Sequence, residues 1–198
     1  MVGRTQQPSP DSLVSVKDAE AYWQNVSPSV DGMLGGYPQV SKIDLQGSRE
    51  FLAKLNIDAK TKGQRIPRAL EGGAGIGRVT RGVLLNITEQ VDVIEPIAKF
   101  TANLLDIPGV GQILNIGLQD WQPQEDIKYE LIWIQWCASQ LPDADLIQFF
   151  QRCITALKPE GFIVVKENLS NWGEDVFDEE DSTLNRYSSK LRSYKIQC

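Results

Sequence analysis

Glu71-Gly72-Gly73-Ala74-Gly75-Ile76-Gly77-Arg78 follows the apolar run Ile66 to Leu70 and precedes a helical pattern carried by Val79, Val83, Leu84 and Ile87. The chain therefore turns here from strand to helix through three alternating glycines, Gly73, Gly75 and Gly77. Without a Cβ these residues let the backbone turn tightly and lie against a ligand, and a helix starting near Ile76 offers unpaired N–H groups. The stretch reads as a cofactor cradle.

Its spacing says which kind. A dinucleotide fingerprint runs G-x-G-x-x-G, but here the third glycine comes one residue early and Arg78 takes the place of the last glycine. The pattern is acidic-x-Gly-x-Gly-x-Gly. A second apolar run, Val91 to Ile94, ends in Glu95, where a strand-end carboxylate can accept both hydroxyls of a ribose. Together these features resemble the first two motifs of the class I S-adenosylmethionine (AdoMet) methyltransferases.

Composition narrows the chemistry. With 198 residues, 41% of them hydrophobic, the chain suits one domain around one core. It has no histidine, which removes Ser-His triads, His-ligated metals and the usual proton carrier near neutral pH. Any general base must be a carboxylate, Lys, Tyr or Cys. Cys137, Cys153 and Cys198 are too few and too dispersed for a zinc knuckle or a disulfide framework, so no metal site is expected. With no basic, apolar signal segment at the start, the reading is a cytoplasmic protein, with the nucleus as a second compartment. Leu131 to Leu141 is the longest apolar stretch, interrupted by Gln135 and Gln140 and too short to span a bilayer. A net charge of −6 argues against a nucleic-acid surface and suits cationic ligands.

Along the chain, residues 1–14 are rich in Gln, Pro and Ser and are expected to be a disordered arm, with residues 15–198 forming a single domain. Helices are expected over 16–23 and 48–55, on either side of the loop Val30 to Tyr37. Strand and helix patterns then alternate: strands at 66–71, 91–94, 112–116, 130–135 and 161–166, helices at 76–87, 96–105 and 143–157. Such alternation implies an α/β fold, a mostly parallel sheet with helices on both faces and a helical extension before it.

Several segments are more specific than the fold. Tyr22-Trp23, Gly32-Met33-Leu34-Gly35-Gly36-Tyr37, Ser48-Arg49-x-Phe51-Leu52, Gly117-Leu118-Gln119-Asp120, Ile132-Trp133-Ile134-Gln135-Trp136 and Lys166-Glu167-Asn168 resemble the protein N-terminal Xaa-Pro-Lys methyltransferases. These are Rossmann-like enzymes that methylate the α-amine of proteins exposing that motif, ribosomal proteins among them. The likeness runs from about residue 20 to 182. It implies that Gly73, Arg78, Glu95, Leu118, Gln119 and Gln135 hold AdoMet, with Arg78 on the methionine carboxylate and Gln119 on the adenine edge. Trp23, Leu34 and Trp136 would line the peptide groove, and Asn168 would hold the peptide's first residue. The resemblance aligns Asp178 and Asp181 with the family's acidic substrate and catalytic positions.

Charge gives a separate argument. A free α-amine has a pKa of about 7.7 to 8.0 and must lose its proton before it can attack a sulfonium methyl group. Glu174, Asp175, Asp178, Glu179, Glu180 and Asp181 crowd one short stretch, where mutual repulsion can raise a carboxylate toward the working range of a base and attract a cationic peptide end. Read without the family, the same run is a solvated acidic loop. Two departures stand out. Gln140 occupies the place of a histidine common in the family, and an amide cannot take a proton at neutral pH. Beyond Ser182 the resemblance is lost, so the hairpin that completes the sheet is expected to be missing and the fifth strand to be an open edge. Two other functions remain open: a small-molecule methyltransferase of the same fold, and a catalytically impaired binding protein.

Overall fold

A computed structural model describes residues 8–57 and 64–189. Its centre is a sheet of five parallel strands in the order β3-β2-β1-β4-β5: β1 (Ile66–Gly72), β2 (Thr88–Ile94), β3 (Val110–Leu114), β4 (Tyr129–Gln135) and β5 (Leu157–Lys166). The chain starts in the middle, builds outward through β2 and β3, then returns to the other side of β1 for β4. The reversal lies between β1 and β4, and in open α/β sheets the crevice beyond the strand ends at such a reversal is where ligands bind.

Apolar residues fill both faces of the sheet, as a parallel arrangement requires. On one face Leu70, Ile132 and Ile134 meet α6 (Asp143–Ala156), whose Leu146, Phe149, Phe150, Cys153 and Ala156 recur at helical spacing and are buried. On the other face Ala69, Val91, Val93, Leu131 and Trp133 pack with Leu52, Val79 and Val83. The N-terminal extension contains α1 (Val16–Asn25), α2 (Val30–Met33) and α3 (Val40–Lys54). Ser15 and Ser29 cap α1 and α2 by accepting from the N–H of Asp18 and Gly32.

Some expectations change. The helix expected over 76–87 is α4 (Arg78–Gly82) followed by a 3-10 turn at Leu84–Asn86, because Gly77 is left-handed at φ +76° and cannot belong to the helix. Likewise 96–105 resolves into α5 (Ala98–Thr101) and a 3-10 turn at Ala102–Leu104. Of the arm expected over 1–14, residues 1–7 lie outside the described residues. Its later part is ordered: Pro10–Leu13 form a 3-10 turn, Val14 is buried, and Asp11 accepts from the Asp143 N–H at 2.7 Å. A short antiparallel hairpin, β6 (Val176–Asp178) and β7 (Thr183–Asn185), does form near the C-terminus, but as a sheet of its own. Among the described residues β5 remains the outer strand, with Phe162 and Val165 exposed. No helix of the described residues is long and apolar enough to cross a membrane.

Candidate active site

The glycine turn leaves the carboxyl end of β1. Gly73, Gly75 and Gly77 have φ of +66°, +54° and +76°, and an added Cβ would also collide with Cys137 at Gly73, Met33 at Gly75 and Leu104 at Gly77. Conformation and space both demand glycine there. Gly73 and Ala74 donate to the Ile94 carbonyl, which fastens the turn to the end of β2. At that end Glu95 accepts from the Gly75 N–H at 2.8 Å and from the Ile97 N–H at 2.9 Å. Burial raises the pKa of its carboxyl and these two bonds oppose the rise. A carboxylate offers about four lone-pair positions, so Glu95 keeps acceptor capacity for a ligand. Glu71, which opens the motif, accepts from the Thr80 hydroxyl at 2.5 Å, and burial pushes its pKa up to about 8.

Facing this turn across the β1/β4 reversal is a second one, running from Trp136 to Leu141. Trp136 sits at φ +56°, an uncommon conformation for a bulky residue and one that recurs at functional sites. Two buried or half-buried charges hold the turn. Glu167, just past β5, accepts from the N–H groups of Cys137 and Ala138 at 2.7 Å each. Arg186, just past β7, donates to the carbonyls of Ala138 at 3.1 Å and Leu141 at 2.6 Å. Burial pushes Glu167 up to about 7 against these N–H bonds and the nearby Arg186 charge.

Between the two turns lies a cleft open to solvent at its mouth. All six residues expected to hold the cofactor (Gly73, Arg78, Glu95, Leu118, Gln119 and Gln135) line it. So do Trp23 and Trp136, from α1 and the end of β4, and Gln140. The cleft fits a nucleoside: its floor is glycine backbone, its strand-end acid has acceptors to spare, and the buried Trp23 indole N–H has no acceptor among the described residues. The loop carrying Leu118 and Gln119 is fixed by Arg152, which donates to both of their carbonyls.

Four expected site residues are not among the cleft's lining residues. Met33, not Leu34, reaches it from α2. Asn168 is exposed beyond β5. Asp178 caps the Glu180 N–H, and Asp181 accepts from the Thr183 hydroxyl at 2.6 Å. Burial raises the Asp181 pKa, and the Asp178 charge adds to the rise. This acidic run faces α1: the Tyr22 phenol is shifted upward by burial and then by Glu180, Asp181 and Asp178, one residue away from Trp23.

Sequence reading missed Asp44. This α3 residue is 8% exposed, and its carboxylate accepts from Arg78 at 2.6 Å, from the Gln135 amide at 3.0 Å and from Lys166. Burial alone would raise its pKa, but the bonds from Lys166, Arg78 and Gln135 outweigh burial and hold it below the usual carboxylate value.

Comparison with known proteins agrees with this geometry. The chain is 44% identical over 180 residues to alpha N-terminal protein methyltransferase 1 of Schizosaccharomyces pombe, a match covering 89% of this chain and 80% of that protein. It is 38% identical over 185 residues to human N-terminal Xaa-Pro-Lys N-methyltransferase 1, covering 91% and 81%. A solved SAM-dependent methyltransferase from Leishmania major superposes with a TM-score of 0.81 at 35% identity, covering 90% of this chain and 70% of that one. The sequence model of the AdoMet dependent proline di-methyltransferases matches residues 11–198, so the stretch beyond Ser182 falls inside the likeness after all. With a glycine cradle, a strand-end acid and that match over nearly its whole length, the chain belongs to the AdoMet-dependent proline di-methyltransferase family.

Proposed function

We propose that this protein, as a single domain over residues 15–198, methylates the α-amino group of proteins that begin Xaa-Pro-Lys, ribosomal proteins among them, in the cytoplasm or nucleus. The observation that carries the reading is one continuous cleft lined by the glycine turn and Glu95 together with Trp23, Trp136 and Gln140. When bound, AdoMet supplies an electrophilic methyl group on a sulfonium. Glu95 would accept the ribose hydroxyls, Arg78 the methionine carboxylate and Gln119 the adenine edge, with Leu118 and Gln135 packing around them. Trp23 and Trp136, joined by Leu34, would flank the proline ring, since flat aromatic walls suit an apolar ring and keep water from the reacting amine. Asn168 would hold the first residue. Asp178 would pair with the cationic peptide, and Asp181 would take the proton that the amine must lose.

Mass spectrometry of a Ser-Pro-Lys peptide incubated with the protein and AdoMet tests the reading. Methyl groups on the terminal nitrogen are expected, and none on a peptide with alanine in place of the proline. The neutral Gln140 in the cleft favours one rival, a binder without turnover. Peptide and AdoMet affinity with no methyl transfer would establish that rival.

Glu95 offers a sharper check on the cofactor. Removing its charged acceptor by Glu95→Ala is expected to weaken AdoMet by about 10- to 150-fold, the equivalent of about 1.5 to 3 kcal/mol for hydrogen bonds to a charged group. Unchanged affinity by calorimetry in a folded variant would remove Glu95 from the site.

A further inference from the structure

Asp44 sits where four elements meet. It lies on α3, and its donors come from α4 (Arg78), the end of β4 (Gln135) and the end of β5 (Lys166). Its neighbour one turn on, Ser48, also receives Lys166, at 3.0 Å. The two cations that Asp44 gathers both approach one indole: the Arg78 guanidinium is 5.2 Å and the Lys166 ammonium 5.9 Å from the Trp136 ring centre. Arg78 and Trp136 line the cleft, whereas Asp44 does not. The carboxylate thus touches no ligand space, yet it orients a residue on each side of the reaction.

Charge count gives the cluster a direction. Within this cluster two cations meet one carboxylate, which leaves one net positive charge behind the cleft wall. Glu71 beside Arg78, pushed up to about 8 by burial, is mostly protonated at neutral pH and does not cancel it. A guanidinium held by a carboxylate on one edge has its other edge fixed in direction.

We propose that Asp44 is a positioning residue, which aims Arg78 at the carboxylate of the bound cofactor and, through Arg78 and Lys166, fixes the Trp136 wall of the peptide groove. This rests on the reading that Arg78 meets that carboxylate. A role through position differs in sign from a role through net charge. Asp44→Asn makes the wall more positive, so electrostatics alone would tighten anion binding, whereas loss of aim loosens it.

Calorimetry with two probes separates the cases: S-adenosylhomocysteine, which carries the amino-acid end, and 5′-methylthioadenosine, which lacks it. Asp44→Asn is expected to weaken S-adenosylhomocysteine by about 10-fold and to leave 5′-methylthioadenosine within about 2-fold. The KM for a Ser-Pro-Lys peptide should rise by about 2- to 5-fold through Trp136. In an Arg78→Met background the same change should have no further effect on S-adenosylhomocysteine, because Asp44 then has nothing to aim. Should Asp44→Asn fail to fold, Asp44→Glu keeps the charge, displaces it by one methylene and is expected to show the same selective loss in smaller degree. Equal loss for both probes, tighter binding of S-adenosylhomocysteine, or a loss undiminished in the Arg78→Met background would overturn the proposal. If Arg78→Met is selective for S-adenosylhomocysteine and Asp44→Asn is not, only the role of Asp44 falls. If Arg78→Met weakens neither probe, the placement of the carboxylate falls as well.

Discussion

Asp181→Asn is expected to lower turnover on a Ser-Pro-Lys peptide by about 10²- to 10⁴-fold, the contribution typical of a positioned acid–base group, while AdoMet affinity stays nearly constant. Asn keeps the shape of the side chain and an oxygen to accept from the Thr183 hydroxyl, so the hairpin should survive the change. What it loses is basicity. The chain has no histidine and offers the neutral Gln140 in the cleft, so the proton of the amine goes to a carboxylate, Lys, Tyr or Cys, or to water. Asp181 is suited to the task because burial, helped by the charge of Asp178, lifts its pKa above the ordinary value. The deficit should shrink as pH rises past the amine's own pKa, where the substrate arrives unprotonated. Near-normal neutral-pH turnover by Asp181→Asn would pass the role to Asp178 or to solvent.

For that transfer the acidic hairpin and the cleft must meet. Asp181 is not among the lining residues; it faces Tyr22, whose neighbour Trp23 lines the cleft. A peptide threading between α1 and the hairpin would bring its amine past the acid run and toward the glycine turn. The cleft also gains from α1 in another way, since Trp23 meets Phe100 edge to face with ring centres 6.4 Å apart, so the helix is anchored against α5 at the cofactor end.

The parts legible in the sequence were those governed by local chemistry. Three glycines at alternate positions are required by left-handed φ and by the closeness of Cys137, Met33 and Leu104, and each requirement is written in the residue itself. The strands were legible because parallel strands buried on both faces read as apolar runs. Asp44 was hidden by the reverse effect. On α3 the buried stripe is Asp44, Ser48 and Leu52, while Val40, Ile43 and Phe51 are exposed, so apolar periodicity points the wrong way. Gly47 in the same helix also argues locally against helix, at a cost near 1 kcal/mol relative to alanine. The helix expected from Ser48 leaves out the turn that carries Asp44. The acid run was visible as composition, but whether it faces solvent or α1 depends on contacts between distant segments.

Arg186 was equally unreadable, since a charged residue near the end of a polar stretch gives no sign of being 2% exposed. Arg186→Met is expected to lower Tm by about 6 to 12 °C, from about 3 kcal/mol for removing one partner of a buried charged network in a chain of this size. Its Nε donates to Asp143 at 2.9 Å, its other nitrogens hold the Ala138 and Leu141 carbonyls, and Asp11 lies 3.9 Å away. The low end of the usual range applies because the Asp143 and Asp11 side chains are 23% and 30% exposed, so water can solvate them once the guanidinium is gone. The carbonyls have no such relief at the buried Ala138 and Leu141, and the turn between them carries Gln140 into the cleft. Turnover should therefore fall with stability, while AdoMet affinity changes less, because the glycine turn and Glu95 are fastened to each other and to the end of β2. Arg186→Lys should restore part of the melting temperature, since it keeps the charge for Asp143 but cannot reach both carbonyls in the fork geometry of a guanidinium. Differential scanning calorimetry with parallel kinetics would decide the matter. An unchanged Tm would mean that the β6–β7 hairpin is an appendage; a fall in Tm and turnover together makes it the clamp that closes one wall of the site.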